Sequence, residues 1–493
     1  MSYILILDQG TTSTRAILYD ENSNIISKAQ EDFKQIYPKE GYVEHNPDDI
    51  LVSCKDVIST CISKANVKYS QIKALGITNQ RESIVMWDKK TGEAIYNVLV
   101  WQDRRTSNYC NQLEKDGFND MIHQKTGLKI DPYFSATKIK WLLENVPQTK
   151  KLLEEDRLCV GTIDTYLMFK LSNGEIFKTD YTNASRTLLY NINTLSWDDD
   201  LLKLFNIPKK MLPEVYPSSY EFGYTSLDII GLRLPILAVS GDQQSSLFGQ
   251  LCVNMSEIKV TYGTGCFLLM NTQDKKVDSK NGLLTTLGCS LTNKPTYALE
   301  GSVFIGGALV SWLKDELMLI DTPSQSEEYA TKVNDTNGVY IVPAFVGLGA
   351  PYWHSQSRGL ITGITRGCNK YHMVRACLQS IDFQVKDVID AMEKDLNLPL
   401  KEIKVDGGAS VNNFLMQFQA DILQKKVVRP SNVEVTSLGV YYLAGIKAGL
   451  FTLDELKKSL KVDKTFTPSL TNDEVNKLVT GWKKAIELSL KEY

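Results

Sequence analysis

Residues 4–19, ILILDQGTTSTRAILY, contain two apolar runs separated by a polar tip. This pattern predicts a β-hairpin. The tip is longer than the roughly two to five residues of a common hairpin loop, and nearly all of its side chains can form hydrogen bonds. The tip therefore has the composition of an anion site, where turn N–H groups, hydroxyls and a cation converge on phosphate oxygens. The groups available for this are Gly10, Thr11, Thr12, Ser13 and Arg15.

Asp8 stands just before this tip and would repel a bare phosphate. Its position is explained if the carboxylate faces a Mg²⁺ ion or a water bound to that ion. The alternative for the whole tip is a hydroxyl-rich turn whose groups bond only to one another. One hairpin does not decide between these interpretations, because short motifs often match by chance.

The same pattern returns half a chain later. Residues 257–262 predict a strand, Gly263-Thr264-Gly265 a tight turn, and residues 266–271 a second strand. Two such hairpins, each opening a half of similar length, indicate a duplicated architecture with two phosphate clamps. We therefore expect two domains, residues 1–249 and 250–493.

Composition excludes several classes of protein. A chain of 493 residues is long enough for two domains, and a net charge of −3 provides no basic field for nucleic acid or an anionic membrane. We expect no membrane insertion, since no apolar run approaches about 20 residues, and no secretory signal. Nine cysteines without CxxC pairs indicate a reducing compartment, so we expect the cytoplasm. The four histidines lack the spacing of a metal site, and a Ser-His-Asp triad is not expected.

Elsewhere the periodicity predicts further strands and helices. Asn46-Pro47 marks the start of a helix, with the asparagine as cap. The predicted strands are 25–29, 72–78, 83–87, 98–101, 236–240 and 403–405, and the predicted helices are 135–145, 304–317 and 373–396, with a charged helical tail from residue 454.

No GxxxxGK[ST] or clean GxGxxG motif is present, which argues against a P-loop enzyme and a dinucleotide fold. Asp242 follows a buried-type strand, the position where ligands bind in open α/β sheets. It is the candidate base that would take a proton from an alcohol during phosphoryl transfer. The alternative is an aspartate that only caps the next helix.

Three further sets of residues suit a small polyol or a nucleotide. Arg81-Glu82 could bind hydroxyls at no net charge, or could be a surface ion pair of little energetic value. Trp101 and Phe267 could cover the C–H side of a substrate, although aromatic residues are more often core. The Asp406-Gly407-Gly408 turn could admit a nucleotide against bare backbone, or could be an ordinary strand-to-helix turn.

Many segments together resemble the FGGY family of carbohydrate kinases, within the actin/hexokinase-like ATPases, and in particular its members that phosphorylate glycerol. The resemblance extends in unchanged order from Ile4 to about Gly449. GDQQ, ITNQRE and VDGGASVNNFL are the most specific of these segments. The others are DQGTTSTR, VWQDRR, DPYFSATKIKWLLEN, TDYTNASRT, TYGTGCFLLMN, ALEGSVF, GLGAPYW and RGLITGITRG.

The resemblance implies an α/β protein with two ribonuclease-H-like domains flanking a catalytic cleft. It also implies Mg²⁺-dependent transfer of the ATP γ-phosphoryl group to glycerol, giving sn-glycerol 3-phosphate and ADP, in a homodimer or higher homo-oligomer. Asp242 would be the base and would lie with Asp8 near the metal. The residues implied to bind glycerol are Arg81, Glu82, Trp101, Tyr133, Asp242, Gln243 and Phe267. Those implied to bind ATP are Thr11, Thr12, Ser13, Arg15, Thr264, Gly307, Gly408 and Asn412.

Two departures from the family pattern bear on ligands. Ser311 stands where bacterial members usually have a glutamine near the nucleotide. The segment 228–233 is shorter and less glycine-rich than the loop that binds fructose 1,6-bisphosphate in some members, although Gly231 and Arg233 remain, so we do not expect that regulation. Two rival functions stay open: a kinase for another polyol or sugar, and an actin-like ATPase that acts as a switch or scaffold.

Overall fold

The computed structural model of the protein describes residues 2–432 and 434–491. Its strands are β1 (Tyr3–Gln9), β2 (Ser13–Asp20), β3 (Ile25–Asp32), β4 (Gln35–Ile36), β5 (Glu44–His45), β6 (Ile72–Asn79), β7 (Ile84–Asp88), β8 (Val98–Leu99), β9 (Leu158–Thr162), β10 (Lys178–Asp180), β11 (Tyr190–Asn191), β12 (Ser196–Trp197), β13 (Glu214–Tyr216), β14 (Ser219–Tyr224), β15 (Pro235–Gly241), β16 (Ile258–Tyr262), β17 (Cys266–Gln273), β18 (Leu284–Gly288), β19 (Thr296–Val303), β20 (Tyr340–Val342), β21 (Leu360–Thr362), β22 (Glu402–Asp406), β23 (Lys426–Pro430) and β24 (Val462–Phe466). Its helices are α1 (Pro47–Ala65), α2 (Ser107–Lys115), α3 (Asn119–Thr126), α4 (Ser135–Asn145), α5 (Gln148–Glu154), α6 (Ile163–Leu171), α7 (Tyr181–Ala184), α8 (Asp199–Phe205), α9 (Leu227–Ile230), α10 (Asp242–Gly249), α11 (Ala308–Asp315), α12 (Gln325–Ala330), α13 (Lys370–Leu396), α14 (Asn413–Leu423), α15 (Val435–Lys447), α16 (Leu453–Ser459) and α17 (Asn472–Ser489).

Two large sheets repeat one topology. The first has the order β14-β15-β6-β1-β2-β3 and the second β18-β19-β17-β16-β22-β23-β24. In each, a hairpin (β1–β2 or β16–β17) is flanked on one side by two strands parallel to its first strand. A third antiparallel strand, β3 or β19, lies on the other side. The predicted duplication and both predicted hairpins are therefore confirmed.

A large insertion separates β6 from β15 in the first half. It carries a five-stranded sheet, β4-β5-β8-β7-β9, completed by strands from before β6. Its helices pack in their own cluster of buried residues, which includes Ile84, Phe134 and Ile139. Leu284 of the second half joins the same cluster, so the insertion packs against both halves.

Several predicted elements differ from the structure. Strand β3 extends to Asp32 rather than ending at 29, and α13 begins at Lys370 rather than at 373. Strand β8 ends at Leu99, because the chain turns there. Helix α11 begins at Ala308 rather than at 304, since the N–H groups of Gly306 and Gly307 donate to carbonyls of the second hairpin turn, and it ends at Asp315 rather than at 317. The tail is not wholly helical: β24 pairs antiparallel with β23 and covers the edge of the second sheet, leaving its charged side chains exposed.

Close backbone packing joins the two halves at α10 and α15. A Cβ placed on Gly249 would lie 2.0 Å from the carbonyl oxygen of Val435, and one on Gly439 would lie 1.9 Å from that of Ser245. Helix α15 belongs to the second half, yet its buried residues pack with those of β1 and β6. Because Asp242 is the first residue of α10, this contact also fixes the position of Asp242.

Over the described residues, no helix is both long enough and apolar enough to serve as a membrane span.

We predict that Gly439→Ala destabilises the protein, because its methyl group has no space against the backbone of α10. Overpacking typically costs about 1–3 kcal/mol, more than the gain of up to about 1 kcal/mol from replacing a helical glycine with alanine. The measurement is the thermal unfolding midpoint, which should fall by several degrees. Lys447→Ala, at an exposed position of the same helix, is the control and should leave the midpoint nearly unchanged. An unchanged or raised midpoint for Gly439→Ala contradicts the prediction.

Candidate active site

Asp242 lies where β15 ends and α10 begins. Gly241, not Asp242, is the N-cap residue of that helix, which argues against the capping interpretation. The Gln243 backbone N–H donates to Asp242 Oδ1 at 2.7 Å, and the Asp242 side chain keeps 30% of its surface exposed. Burial raises the pKa of Asp242, and the nearby guanidinium of Arg81 opposes that rise. The carboxylate is thus partly open and flanked by a cation.

Arg81 lies at the centre of the site. It follows β6, is only 2% exposed, and places its Nε 3.4 Å from Asp242 Oδ1. Its Nη2 lies 3.4 Å from the Tyr133 hydroxyl. Glu82, its neighbour, is 1% exposed and has a φ of 60°, a strained value for a residue other than glycine. The surface-pair interpretation of Arg81-Glu82 is therefore wrong.

Arg81 belongs to a buried network of four charged residues, whose other members are Glu82, Arg186 and Glu300. Glu300 accepts from Arg81 Nη1 at 2.7 Å and Nη2 at 3.0 Å, and from Arg186 Nη2 at 2.9 Å. Arg186 Nε also donates to Glu82 Oε1 at 2.6 Å. Burial would raise the pKa of Glu300, but the guanidiniums of Arg186 and Arg81 outweigh it and lower the pKa to about 2. Two guanidiniums and two carboxylates balance, which buried charge requires.

Sequence reasoning missed Arg186, Glu300 and Lys259 as site residues. Arg186 and Glu300 lie within the segments TDYTNASRT and ALEGSVF, and Lys259 lies in the strand IKVTY. Each is a charged residue in a stretch that folds into the interior, and an unpaired buried charge is too costly to keep. A charge inside an apolar strand, as at Glu300, was the available signal.

Lys259 brings the second hairpin to Asp242. Its Nζ donates to the Gln243 side-chain oxygen and, at 2.8 Å, to Thr261 Oγ1. Burial lowers the pKa of Lys259 to about 8, with Asp406 opposing. Thr261 lies two residues before the Gly263-Thr264-Gly265 turn, so the strand that leads into this turn contacts the start of α10.

The predicted aromatic residues lie on both sides of the site. Trp101 contacts Tyr133 edge to face, with ring centroids 5.5 Å apart, and its Nε1 donates to Thr11 Oγ1 at 3.0 Å. The tip of the first hairpin is thereby joined to the residues that are predicted to bind a polyol. Phe267 is half-buried on β17, opposite Thr261.

The first hairpin tip is tightly turned. The Gly10 N–H donates to the Ser13 carbonyl at 2.9 Å, Thr12 is exposed, and Ser13 is buried. Arg15 extends away from the tip. Its Nη1 lies 3.3 Å from Glu434 Oε2, so its charge is already paired with a carboxylate. Burial raises the pKa of Asp8 to about 7, Arg15 opposes this rise, and Asp242 adds to it.

Three glycine segments meet in the second half. The Gly307 N–H donates to the Gly263 carbonyl at 2.8 Å. A Cβ on Gly407, whose φ is +90°, would lie 2.5 Å from the Tyr262 carbonyl oxygen, whereas one on Gly408 would meet nothing within 4 Å. The result is a surface of bare backbone beside Thr264, which is itself exposed.

Asn412 and Ser311 flank this surface. Asn412 caps α14 by accepting from the Leu415 N–H at 3.0 Å, so its side-chain oxygen has a structural role. Ser311 is exposed on α11.

The residues present suit a magnesium ion bridged by phosphate. Among the described residues, no three His, Cys, Asp or Glu side chains are grouped closely enough to hold a metal unaided. The charge of Asp242 lies near enough to Asp8 to add to the rise in the pKa of Asp8. Mg²⁺ commonly uses one or two carboxylates, with water and substrate phosphates completing its shell. Asp8 and Asp242 match that donor set.

Comparison with known proteins agrees with this geometry. Residues 3–249 match the N-terminal domain, and residues 258–448 the C-terminal domain, of the FGGY family of carbohydrate kinases. The chain is 55% identical over 494 residues to a glycerol kinase of Fusobacterium nucleatum, covering 100% of this chain and 99% of the relative. It is 53% identical over 486 residues to a glycerol kinase of Petrotoga mobilis, covering 98% of each.

The fold is also that of solved kinases. A structure of Plasmodium falciparum glycerol kinase with ADP superposes with a TM-score of 0.95 at 39% identity, covering 100% of this chain and 99% of that one. A xylulose kinase from Lactobacillus acidophilus superposes with a TM-score of 0.87 at 24% identity, covering 99% and 97%, and shares the fold. The two-domain actin-like ATPase fold expected from the sequence is confirmed. The chain belongs to the FGGY family of carbohydrate kinases.

Proposed function

We propose that the protein is an ATP:glycerol 3-phosphotransferase that converts glycerol and ATP to sn-glycerol 3-phosphate and ADP. The observation that carries the proposal is the partly exposed Asp242 carboxylate, held 3.4 Å from buried Arg81 and bordered by groups of both halves. Full-length similarity to glycerol kinases supports glycerol as the acceptor.

In this proposal the first half binds the polyol. Arg81 donates to hydroxyl oxygens, Glu82 accepts from hydroxyl hydrogens, and Asp242 takes the proton of the attacking hydroxyl. The raised pKa of Asp242 makes its carboxylate a better base than an ordinary aspartate. Tyr133 and Gln243 add hydrogen bonds, and Trp101 and Phe267 pack on the carbon chain.

ATP occupies the space between the two hairpins. Thr11, Thr12 and Ser13 would bind phosphate through hydroxyl and N–H groups, and Thr264 would do so from the second half. Arg15 contributes if ATP draws it from Glu434. The bare backbone at Gly307 and Gly408 would accept the nucleoside, with Asn412 at its edge. Mg²⁺, held by Asp8 and Asp242 with phosphate oxygens, would neutralise charge on the transferred group.

Other expectations from the sequence stay predictions. The division into domains 1–249 and 250–493 is one, and the homo-oligomer is another. We further propose that the protein works in the cytoplasm, because its nine cysteines are all free thiols, eight of them buried.

Asp242→Asn should abolish phosphorylation of glycerol while leaving nucleotide binding measurable. The amide keeps the shape of the side chain but cannot take a proton, and general-base catalysis typically contributes about 10²–10⁴-fold. A coupled ADP-release assay with and without glycerol measures turnover, and titration with ADP measures binding. Asp228→Asn, an exposed aspartate on α9, is the control and should retain activity. Retention of more than about a tenth of wild-type kcat by Asp242→Asn removes its role as base.

A panel of polyols and sugars tests the acceptor. Glycerol should give the highest kcat/KM, and Arg81→Ala should raise the KM for glycerol at least about tenfold with little effect on the KM for ATP, because in this proposal Arg81 contacts the polyol and not the nucleotide. A higher kcat/KM with another polyol identifies a different sugar kinase. ATP hydrolysis without any phosphorylated acceptor supports the ATPase switch instead.

A further inference from the structure

Glu300 is the one residue of the second half in the buried four-residue charge network. It lies in the middle of β19, paired with Leu269 on one side and Leu284 on the other, and is fully buried. Its two oxygens accept three hydrogen bonds from Arg81 and Arg186, both from the first half. A strand centre of one half therefore carries a carboxylate whose partners are all in the other half.

The contact with Arg81 is bidentate. Glu300 takes both terminal nitrogens of the guanidinium, at 2.7 and 3.0 Å. Two parallel hydrogen bonds fix the plane of a guanidinium and its rotation, which a single bond does not. The remaining Nε edge then faces Asp242 at 3.4 Å.

We propose that Glu300 is a positioning residue for phosphoryl transfer: it fixes the rotation of Arg81 from the second half and so presents the Nε edge to Asp242 and the substrate. This inference rests on the proposed function. If Glu300 positions Arg81, the geometry of the polyol site depends on where β19 lies, and therefore on how closely the two halves pack.

Stability alone does not explain this arrangement. Burying a carboxylate is costly, and replacement of buried ion pairs by apolar residues is often neutral or stabilising. Interactions that orient a reacting group are worth far more to the rate than to the fold. Fixing the orientation of the Arg81 guanidinium requires bidentate geometry, whereas neutralising its charge does not.

A double-mutant cycle on kcat/KM for glycerol tests the proposal. Glu300→Gln keeps the shape but loses the charge, and Arg81→Lys keeps the charge but loses the planar fork. Glu300→Gln should lower kcat/KM about 30-fold or more in the wild-type background, and less than about threefold when Arg81 is already lysine. The KM for ATP should stay within about twofold in both backgrounds.

A matched control separates positioning from general damage to a buried ion pair. Glu44, on β5, is 2% exposed and accepts from Arg105 Nη2 of the insertion at 2.6 Å. Glu44→Gln should affect the thermal midpoint as Glu300→Gln does, yet its effect on kcat/KM should be small and should add to that of Arg81→Lys. Equal, additive losses for Glu300→Gln and Glu44→Gln overturn the proposal.

A second measurement does not depend on turnover. The ¹H–¹⁵N signal of the Arg81 Nε–H group, assigned by its loss in Arg81→Lys, should be sharp in the wild-type protein and should broaden or shift in Glu300→Gln. Glu300→Asp, which keeps the charge, guards against misfolding and should change the same signal, because its shorter side chain cannot reach both nitrogens.

The two proposals fail in different ways. If the wild-type protein forms no phosphorylated glycerol, the proposed function fails and the role in phosphoryl transfer fails with it, while the Nε–H signal still shows whether Glu300 fixes the rotation of Arg81. If the wild-type protein is active but the cycle is additive or the signal is unchanged in Glu300→Gln, the positioning role is refuted and the proposed function stands.

Discussion

The buried ion pairs of Arg81 and Arg186 with Glu82 and Glu300 are the interaction on which the site depends. A charge removed from water is tolerated only when partners and hydrogen bonds replace its solvation. Here each guanidinium faces both carboxylates, so each of the four charges needs the others. Because Glu300 comes from the second half, the network is complete only when the halves are packed together.

Glycine at two helix contacts makes that packing possible. Gly249 and Gly439 allow α10 and α15 to approach backbone to backbone, which a Cβ on either would prevent. The contact holds the first turn of α10, where Asp242 lies, against a helix of the other half. Asp242 is therefore positioned in two separate ways. The backbone contact acts through α10, and the buried charges act through Arg81.

Local patterns predicted the secondary structure around the site well, and the pairing of its charges poorly. The two hairpins, α4 and the strand before Asp242 were predictable because alternating or periodic apolar residues determine them. The strand β24, VDKTF, was missed because it is short and lies in a charged tail, where its strand-favouring residues stand out little until its pairing with β23 is known. The polar residues that follow predicted strands, and then the family resemblance, both indicated Arg81 and Asp242 as site residues. Glu300 and Arg186 form contacts across 219 and 114 residues of chain, and no local pattern encodes such a pairing.

The duplicated fold gives each half a hairpin, but the halves use their equivalent strands differently. In the first half the strand ends carry Asp8, Arg81 and Asp242, which are charged groups suited to chemistry. In the second half Gly263 and Gly408 follow the corresponding strands β16 and β22, and Gly307 follows β19; these glycines expose backbone suited to a nucleotide. A polyol bound on one side can react with a triphosphate bound on the other only if the distance between the two sides is fixed. Lys259 and Glu300 reach from the second sheet to Gln243 and Arg81, and together with the contact of α10 and α15 they hold the two sides against each other.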